Sequence, residues 1–427
     1  MKKELKTLSL GVILAVVACV QAVAFVQTGP PGATRTTRDH VAATDGFIVM
    51  PDGRDVYIFG FTNVSSLVKF RNQSTSLLGT RKAQADFTAP TIAMSEGRHH
   101  YLTLSTLGMA MRPDLFDPHT IHFHGYPHAS AIYDGEPMSS LKVNQGADFT
   151  YFYQLNDPGT YMYHCHNEAT EHMEMGMIGN LVVYPRQDEF TQNNGPVTYS
   201  GRAYTHFVFD DCDNLPSIDD PLFTAPAGLV LSGSACGSTG YDANQRYLIQ
   251  FSSIDPGFHD NDSFAQPLDF AGFKARYFTL NGRGYPDTAN PAPLMNNASS
   301  YLPPTTAPVN YPAQKVSSLI TINQTGRSPV AVISIHNLSI QEFADYEIPG
   351  LPVQVIGKDA KFLRRPNGKD LRYYANSILV GPGESADLRI DTTGVQPGTY
   401  YMYSRMLEQL TSDKMDRSGA MTEIRIQ

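Results

Sequence analysis

Charge is scarce in this sequence: Asp, Glu, Lys and Arg make up 17% of 427 residues, and 32 Lys plus Arg stand against 41 Asp plus Glu, a net charge of -9. The basic face that binding to a polyanion requires is missing, so no nucleic-acid partner is expected. Long apolar runs are missing too. Beyond the N-terminus no segment has the roughly 20 consecutive apolar residues of a membrane-crossing helix, and no transmembrane segment is expected. The 34 Gly and 29 Pro break the chain into short stretches, which argues against an all-helical protein and for an all-β one built of short strands and many turns.

Cysteine is also sparse, with four in the chain. Lys2, Lys3 and Lys6 precede an apolar run from Leu8 to Ala18, too short to span a bilayer but the length of a signal-peptide core. Ala22-Val23-Ala24 fits a small-residue cleavage site, so residues 1–24 are expected to be a signal peptide directing the chain to the periplasm or the cell exterior. Val16-Val17-Ala18-Cys19 also looks like the box that precedes a lipid-modified cysteine. Export favours paired thiols, and Cys212 and Cys236, which flank a loop-like stretch, are expected to form a disulfide. Cys165 is left alone and needs a reason.

The mature chain reads as two units of similar design. Alternating segments such as Val56-Tyr57-Ile58-Phe59, Tyr101-Leu102-Thr103-Leu104 and Leu181-Val182-Val183-Tyr184 have strand periodicity, as do Val330 to Ile335 and Ala386 to Ile390 further on. Asp157-Pro158-Gly159-Thr160-Tyr161 and Gln396-Pro397-Gly398-Thr399-Tyr400 share a Pro-Gly-Thr-Tyr turn into a strand. The first copy continues into His164-Cys165-His166 and the second into Ser404-Arg405, so the second has lost whatever chemistry the first performs.

Six of the thirteen histidines fall in or beside two short stretches, His119-Thr120-Ile121-His122-Phe123-His124-Gly125 and His164-Cys165-His166 followed by His172 and Met177. On a strand successive side chains alternate faces, so His122 and His124 point the same way, as do His164 and His166, while Cys165 points to the opposite face. One strand can thus serve two metal sites. A thiolate and two imidazoles with a weak axial thioether form a blue copper site, here Cys165, His119, His172 and Met177. On the other face His122, His124, His164 and His166 offer neutral imidazoles to further copper. Zinc competes for His and Cys, but a closed tetrahedral site has no use for the Met and the doubled histidine pairs.

These segments resemble the multicopper oxidases and, more distantly, the copper nitrite reductases, both built from cupredoxin domains. The resemblance implies two cupredoxin-like Greek-key β domains: 38–190 with the copper ligands, and 243–427 without them, joined by a connector over 191–242. It also implies a type 1 copper at His119, Cys165, His172 and Met177, and half of a type 2/type 3 cluster at His122, His124, His164 and His166. The implied activity is one-electron oxidation of a small reductant, a metal ion or a redox protein, with dioxygen as acceptor. The alternatives are an electron-transfer or a copper storage or resistance protein without turnover and, less favoured because the nitrite reductases place Asp where His122 stands, a nitrite reductase-like enzyme.

Two departures matter. Five residues separate His166 from His172, where laccase-like members have three. No His-x-His pair exists outside the two clusters, so the other half of the cluster is missing from this chain, and a homo-oligomer is expected to supply it. Smaller expectations are a solvated loop at Glu168, Glu171 and Glu174, with an acidic docking rim as the less favoured alternative, a tight turn at Asp134-Gly135-Glu136-Pro137 near the oxygen site, and His128 as a loop residue, lining the second site being its less favoured reading.

Overall fold

A computed structural model describes residues 36–67, 75–127, 129–216, 228–302, 310–325 and 328–427. The expected signal segment, Cys19 and His128 lie outside the described residues. The first domain is a sandwich of two four-stranded sheets. One sheet has the order β2-β1-β4-β6, formed by β1 (Thr36–Val49), β2 (Asp55–Asn63), β4 (His99–Thr106) and β6 (Asp148–Gln154). The other has the order β3-β8-β7-β5, formed by β3 (Ala89–Ser95), β5 (His122–His124), β7 (Gly159–His164) and β8 (Ile178–Tyr184). Their inner faces meet through Val41, Phe59, Leu102 and Tyr151 from one and Ile92, Phe123, Tyr163 and Leu181 from the other. Alternation along each strand supplies this core, as expected of two packed sheets. Helices are short: α1 (Thr75–Gly79), α2 (Ala169–Glu174), α3 (Arg186–Asn194) and α4 (Pro256–Ser263).

The second domain repeats the strand order. Its Tyr277–Leu280, Arg246–Ile254, Val330–Asn337 and Ser385–Asp391 strands follow one another as β2, β1, β4 and β6 do. Ile320–Ile322, Met421–Ile426, Gly398–Ser404 and Ala344–Glu347 match β3, β8, β7 and β5. Both parallel pairings recur as well: β1 with β4 and β3 with β8, against Arg246–Ile254 with Val330–Asn337 and Ile320–Ile322 with Met421–Ile426. The two domains share one cupredoxin topology, and the Pro-Gly-Thr-Tyr repeat marks equivalent strands.

The connector is more than a loop. Val197, Tyr204 and Phe207 from it form a buried cluster with Val330, Val332 and Ile356 of the second domain, and the Cys212–Cys236 disulfide closes this cluster.

The outward face of β7 and β8 packs against the Arg246–Ile254, Val330–Asn337 and Ser385–Asp391 strands of the second domain. Thr160 Oγ1 donates to Asp387 Oδ1 at 2.7 Å, is 3.2 Å from Ser334 Oγ, and accepts from Arg246 Nη2 at 2.9 Å. Register places His122, His164 and Met162, two residues on from Thr160, on this same face. The second histidine set therefore faces the domain boundary.

Candidate metal centres

The first set forms where β7 ends. Cys165 is fully buried, and its amide donates to the Met177 carbonyl at 3.1 Å while the Met177 amide donates to the His172 carbonyl at 2.9 Å. This ties the strand end, α2 and the start of β8 into one loop. Gly176 turns that loop at φ 116, and a Cβ there would meet Phe87 and the Phe59 carbonyl below 3 Å. His119 comes from a different segment, held by two backbone hydrogen bonds to Val143. Cys165 Sγ lies 3.3 Å from His172 Nδ1 and 4.0 Å from His119 Nδ1, and it accepts the Thr120 amide at 3.4 Å. Both imidazoles are buried, with ring centroids 4.8 Å apart, and Met177, five residues after His172, is buried as well.

The electrostatics of this set favour a cation. Burial, and then the neighbouring His172, hold His119 well below the usual histidine range, so its ring is neutral. Burial also pulls His172 down, but the Cys165 sulfur and Asp117 outweigh it and lift His172 to about 10. At neutral pH the His172 ring therefore carries a proton in the metal-free protein. A soft sulfur and two imidazole nitrogens within 4.8 Å of one another, with no carboxylate among them, are a donor set that fits copper.

The second set is built on the β5–β7 ladder, where His122 pairs with His164 and His124 with Met162. His122 Nδ1 donates to the Asp134 carbonyl at 2.7 Å, which leaves Nε2 free. His164 Nδ1 donates to the Cys165 carbonyl at 2.8 Å, so its Nε2 faces His124 Nδ1 at 3.2 Å. Such outer hydrogen bonds fix the tautomer of a ligating imidazole. Burial lowers His122 and His124 and holds His164 at about 3, so these three are neutral imidazoles at neutral pH. Ligand atoms of His122, His124 and His164 lie within 4.8 Å of one another. His166 stands beside this trio, its ring centroid 5.0 Å from that of His122 and 5.6 Å from that of His164, with its amide donating to Thr120 Oγ1. The donor set is all imidazole and converges, which again fits copper.

Residues 84–188, which hold both sets, match the family model described as multicopper oxidase. This segment resembles a multicopper oxidase domain. Members of the family bind copper. Multicopper oxidase CTB12 of Cercospora beticola is 38% identical over 68 residues, which are 16% of this chain and 10% of that protein, so the match covers a small part of the relative's length. The fold of the whole chain resembles the blue copper oxidase from Nitrosomonas europaea, at TM-score 0.58 and 19% identity over 92% of this chain and 86% of that one. It also resembles the copper nitrite reductase from Nitrosomonas europaea, at TM-score 0.51 and 14% identity over 92% and 94% of the two chains. These likenesses confirm the cupredoxin architecture expected from the sequence.

Several expectations for this segment need correction. Glu174 does not belong to an acidic rim: it is buried and points to the second domain, where His259 Nε2 lies 3.6 Å from its Oε1. Glu171 is partly buried, and burial raises its carboxyl to about 7. The acidic groups that meet His172 Nε2 are Glu168 at 3.9 Å and Asp117 at 3.7 Å, and Asp117 was missed although it stands two residues before His119. The Asp134–Pro137 turn does lie at the second set, through the Asp134 carbonyl. Gly135 adopts φ 77 there, and a Cβ would fall 2.0 Å from the Ile121 carbonyl oxygen. The second domain of the same chain reaches this set with its Gly381-Pro382-Gly383-Glu384 turn, since a Cβ on Gly383 would lie 3.1 Å from His124 Nε2. Among the described residues, no second-domain histidine joins either group.

Proposed function

We propose that the protein is an exported copper oxidoreductase. In this reading it takes electrons one at a time from an external reductant at His119, Cys165, His172 and Met177 and delivers them to dioxygen at His122, His124, His164 and His166. The observation that carries this is the back-to-back arrangement: the His164 imidazole in one set donates to the Cys165 carbonyl of the other, so a single strand joins them. Copper bound at the two sets would supply reversible one-electron chemistry and a place for dioxygen to be reduced.

The chain's own residues perform the rest. The Thr120 amide holds the Cys165 sulfur, Val143 holds the His119 backbone, and burial excludes water from the sulfur. His172 directs Nε2 toward Asp117 and Glu168, so an electron donor reaching this ring meets two carboxylates first, which favours a metal ion or a positively charged donor over an anionic one. Phenols and a redox protein remain within the reductant class. Asp134 orients His122 at the second set, and assembly with further copies is part of the reading, because the turn that covers His124 offers no ligand.

A second reading, electron transfer or copper storage without turnover, is favoured by that same ligand-free turn. Copper stoichiometry with optical and paramagnetic spectra tests the two sets, and oxygen consumption with a one-electron reductant tests turnover beside a His122→Ala/His166→Ala control. Equal slow consumption by both proteins while both remain blue replaces the oxidase with the carrier. Nitrite consumption without oxygen consumption would move the assignment to the nitrite reductase-like alternative.

A further inference from the structure

We propose that the second domain, which contributes no ligand, sets the geometry of the Cys165 donor set through a buried clasp between Glu174 and His259, making His259 a positioning residue for that set. The inference rests on the reading of His119, Cys165, His172 and Met177 as the blue copper site.

The argument starts from α2. It spans six residues, and its N-cap Glu168 sits at φ 47 with no side-chain cap hydrogen bond. Isolated helices shorter than about 12 residues are marginal in water, so α2 needs outside support to hold His172 in place. The support comes from its C-terminal end. Glu174, two residues after His172 and three before Met177, is buried, and its Oε1 accepts the Asp255 amide at 2.6 Å. His259, fully buried on α4, places Nε2 3.6 Å from the same oxygen and donates from Nδ1 to the Tyr57 carbonyl at 2.5 Å. One imidazole thus hydrogen-bonds a first-domain strand and stands at ion-pair distance from the helix that carries a ligand.

The post to which α2 is tied is itself fixed. Asp255 caps α4 by accepting the Gly257 amide at 2.9 Å, and its other oxygen accepts the Lys274 amide at 2.7 Å. Arg112 of the first domain donates to Asp262 Oδ1 at 2.9 Å near the other end of α4. On the far side of Glu174, the Met175 carbonyl accepts the Phe59 amide at 2.9 Å. The loop from Cys165 to Met177 is therefore pinned at its two ends by the Cys165–Met177 hydrogen bond and in its middle by the second domain. A buried ionisable pair is weak evidence for stability, because desolvation offsets its attraction. Its value here is geometric.

Full-length protein should be compared with His259→Phe, which keeps ring volume and removes both N–H groups, and with His259→Gln, which keeps donors. In the metal-free proteins, hydrogen exchange of amides 169–177 should be about tenfold faster in His259→Phe while the strand amides are unchanged, with His259→Gln nearer wild type. In the copper-loaded proteins, His259→Phe should shift the blue absorption ratio, the copper hyperfine splitting and the reduction potential, and His259→Gln should restore them in part. A lowered unfolding temperature with unchanged exchange, spectra and potential makes His259 merely structural and overturns the proposal. If His259→Phe does not fold, Glu174→Gln should give the same changes in smaller measure, and no change there overturns it equally. A wild-type protein that binds copper without turning blue defeats the blue-site reading instead, and the metal-free exchange comparison still decides the clasp.

Discussion

Cys165 shows how much one residue can carry. It is the only free cysteine among the described residues, it is buried, and two imidazole nitrogens and a backbone amide converge on its sulfur. The strong blue absorption of such a site requires that sulfur, so Cys165→Ser protein should lose the colour while circular dichroism shows the sandwich intact. Retained colour would move the site elsewhere. Met177→Leu protein should stay blue but change its reduction potential, because a long axial thioether tunes the site more than it binds; an unchanged potential would make Met177 a core methionine. His336 illustrates the opposite case, a buried histidine outside both sets. Neither ring nitrogen has a hydrogen bond, and burial, then the Arg246 charge, hold it at about 3. Its folded value lies below the unfolded one near 6.5, so the folded protein binds fewer protons. The stability it contributes is complete above about pH 6.5 and is lost as the pH falls toward 3. His336→Gln should therefore flatten the acid limb of stability by about 1.4 kcal/mol per pH unit in that window, and urea midpoints with the same pH dependence in both proteins would contradict this.

At the scale of elements, β7 does three jobs with one alternation. Tyr161 and Tyr163 fill the core, Thr160 and His164 face the second domain, and Cys165 leaves the strand toward the ligand loop. Thr160→Val is nearly isosteric but removes the hydroxyl that donates to Asp387 and accepts from Arg246, so denaturant unfolding should show a loss of about 1.5–3 kcal/mol. A loss within error would mean that water replaces the hydroxyl. This strand was legible in the sequence because a period of two and a repeated Pro-Gly-Thr-Tyr turn are local signals. So were His119, His122, His124 and His172, whose spacing from one another or from Cys165 is short. The helices were not. The six residues of α2 have no capping pattern to announce them, and the contact that holds it joins residues 85 positions apart, Glu174 and His259. Asp117 lay close to a ligand and gave a signal only in retrospect, since an acid on a loop is ordinarily just solvated.

For the whole molecule the question is what a ligand-free domain is for. The repeated strand order shows that it kept the fold, and the Gly383 turn, Thr160–Asp387 and Glu174–His259 show that it supports both histidine sets from behind. Support does not supply donors. Three convergent imidazoles from one domain, with His166 beside them, leave the remaining coordination of the second set to whatever approaches its open side, and a symmetric assembly would bring the same surface of another copy there. Oxygen consumption per chain should then follow the assembled fraction measured by sedimentation, falling as the protein is diluted through its dissociation range while the blue absorption per chain stays constant. In the proposed reading the colour belongs to residues within one domain, and turnover to a site that one chain leaves incomplete. A monomer that consumes oxygen as fast per chain as any assembled form would show that His122, His124, His164 and His166 suffice alone, and the ligand-free turn over His124 would then be the wall of a finished site.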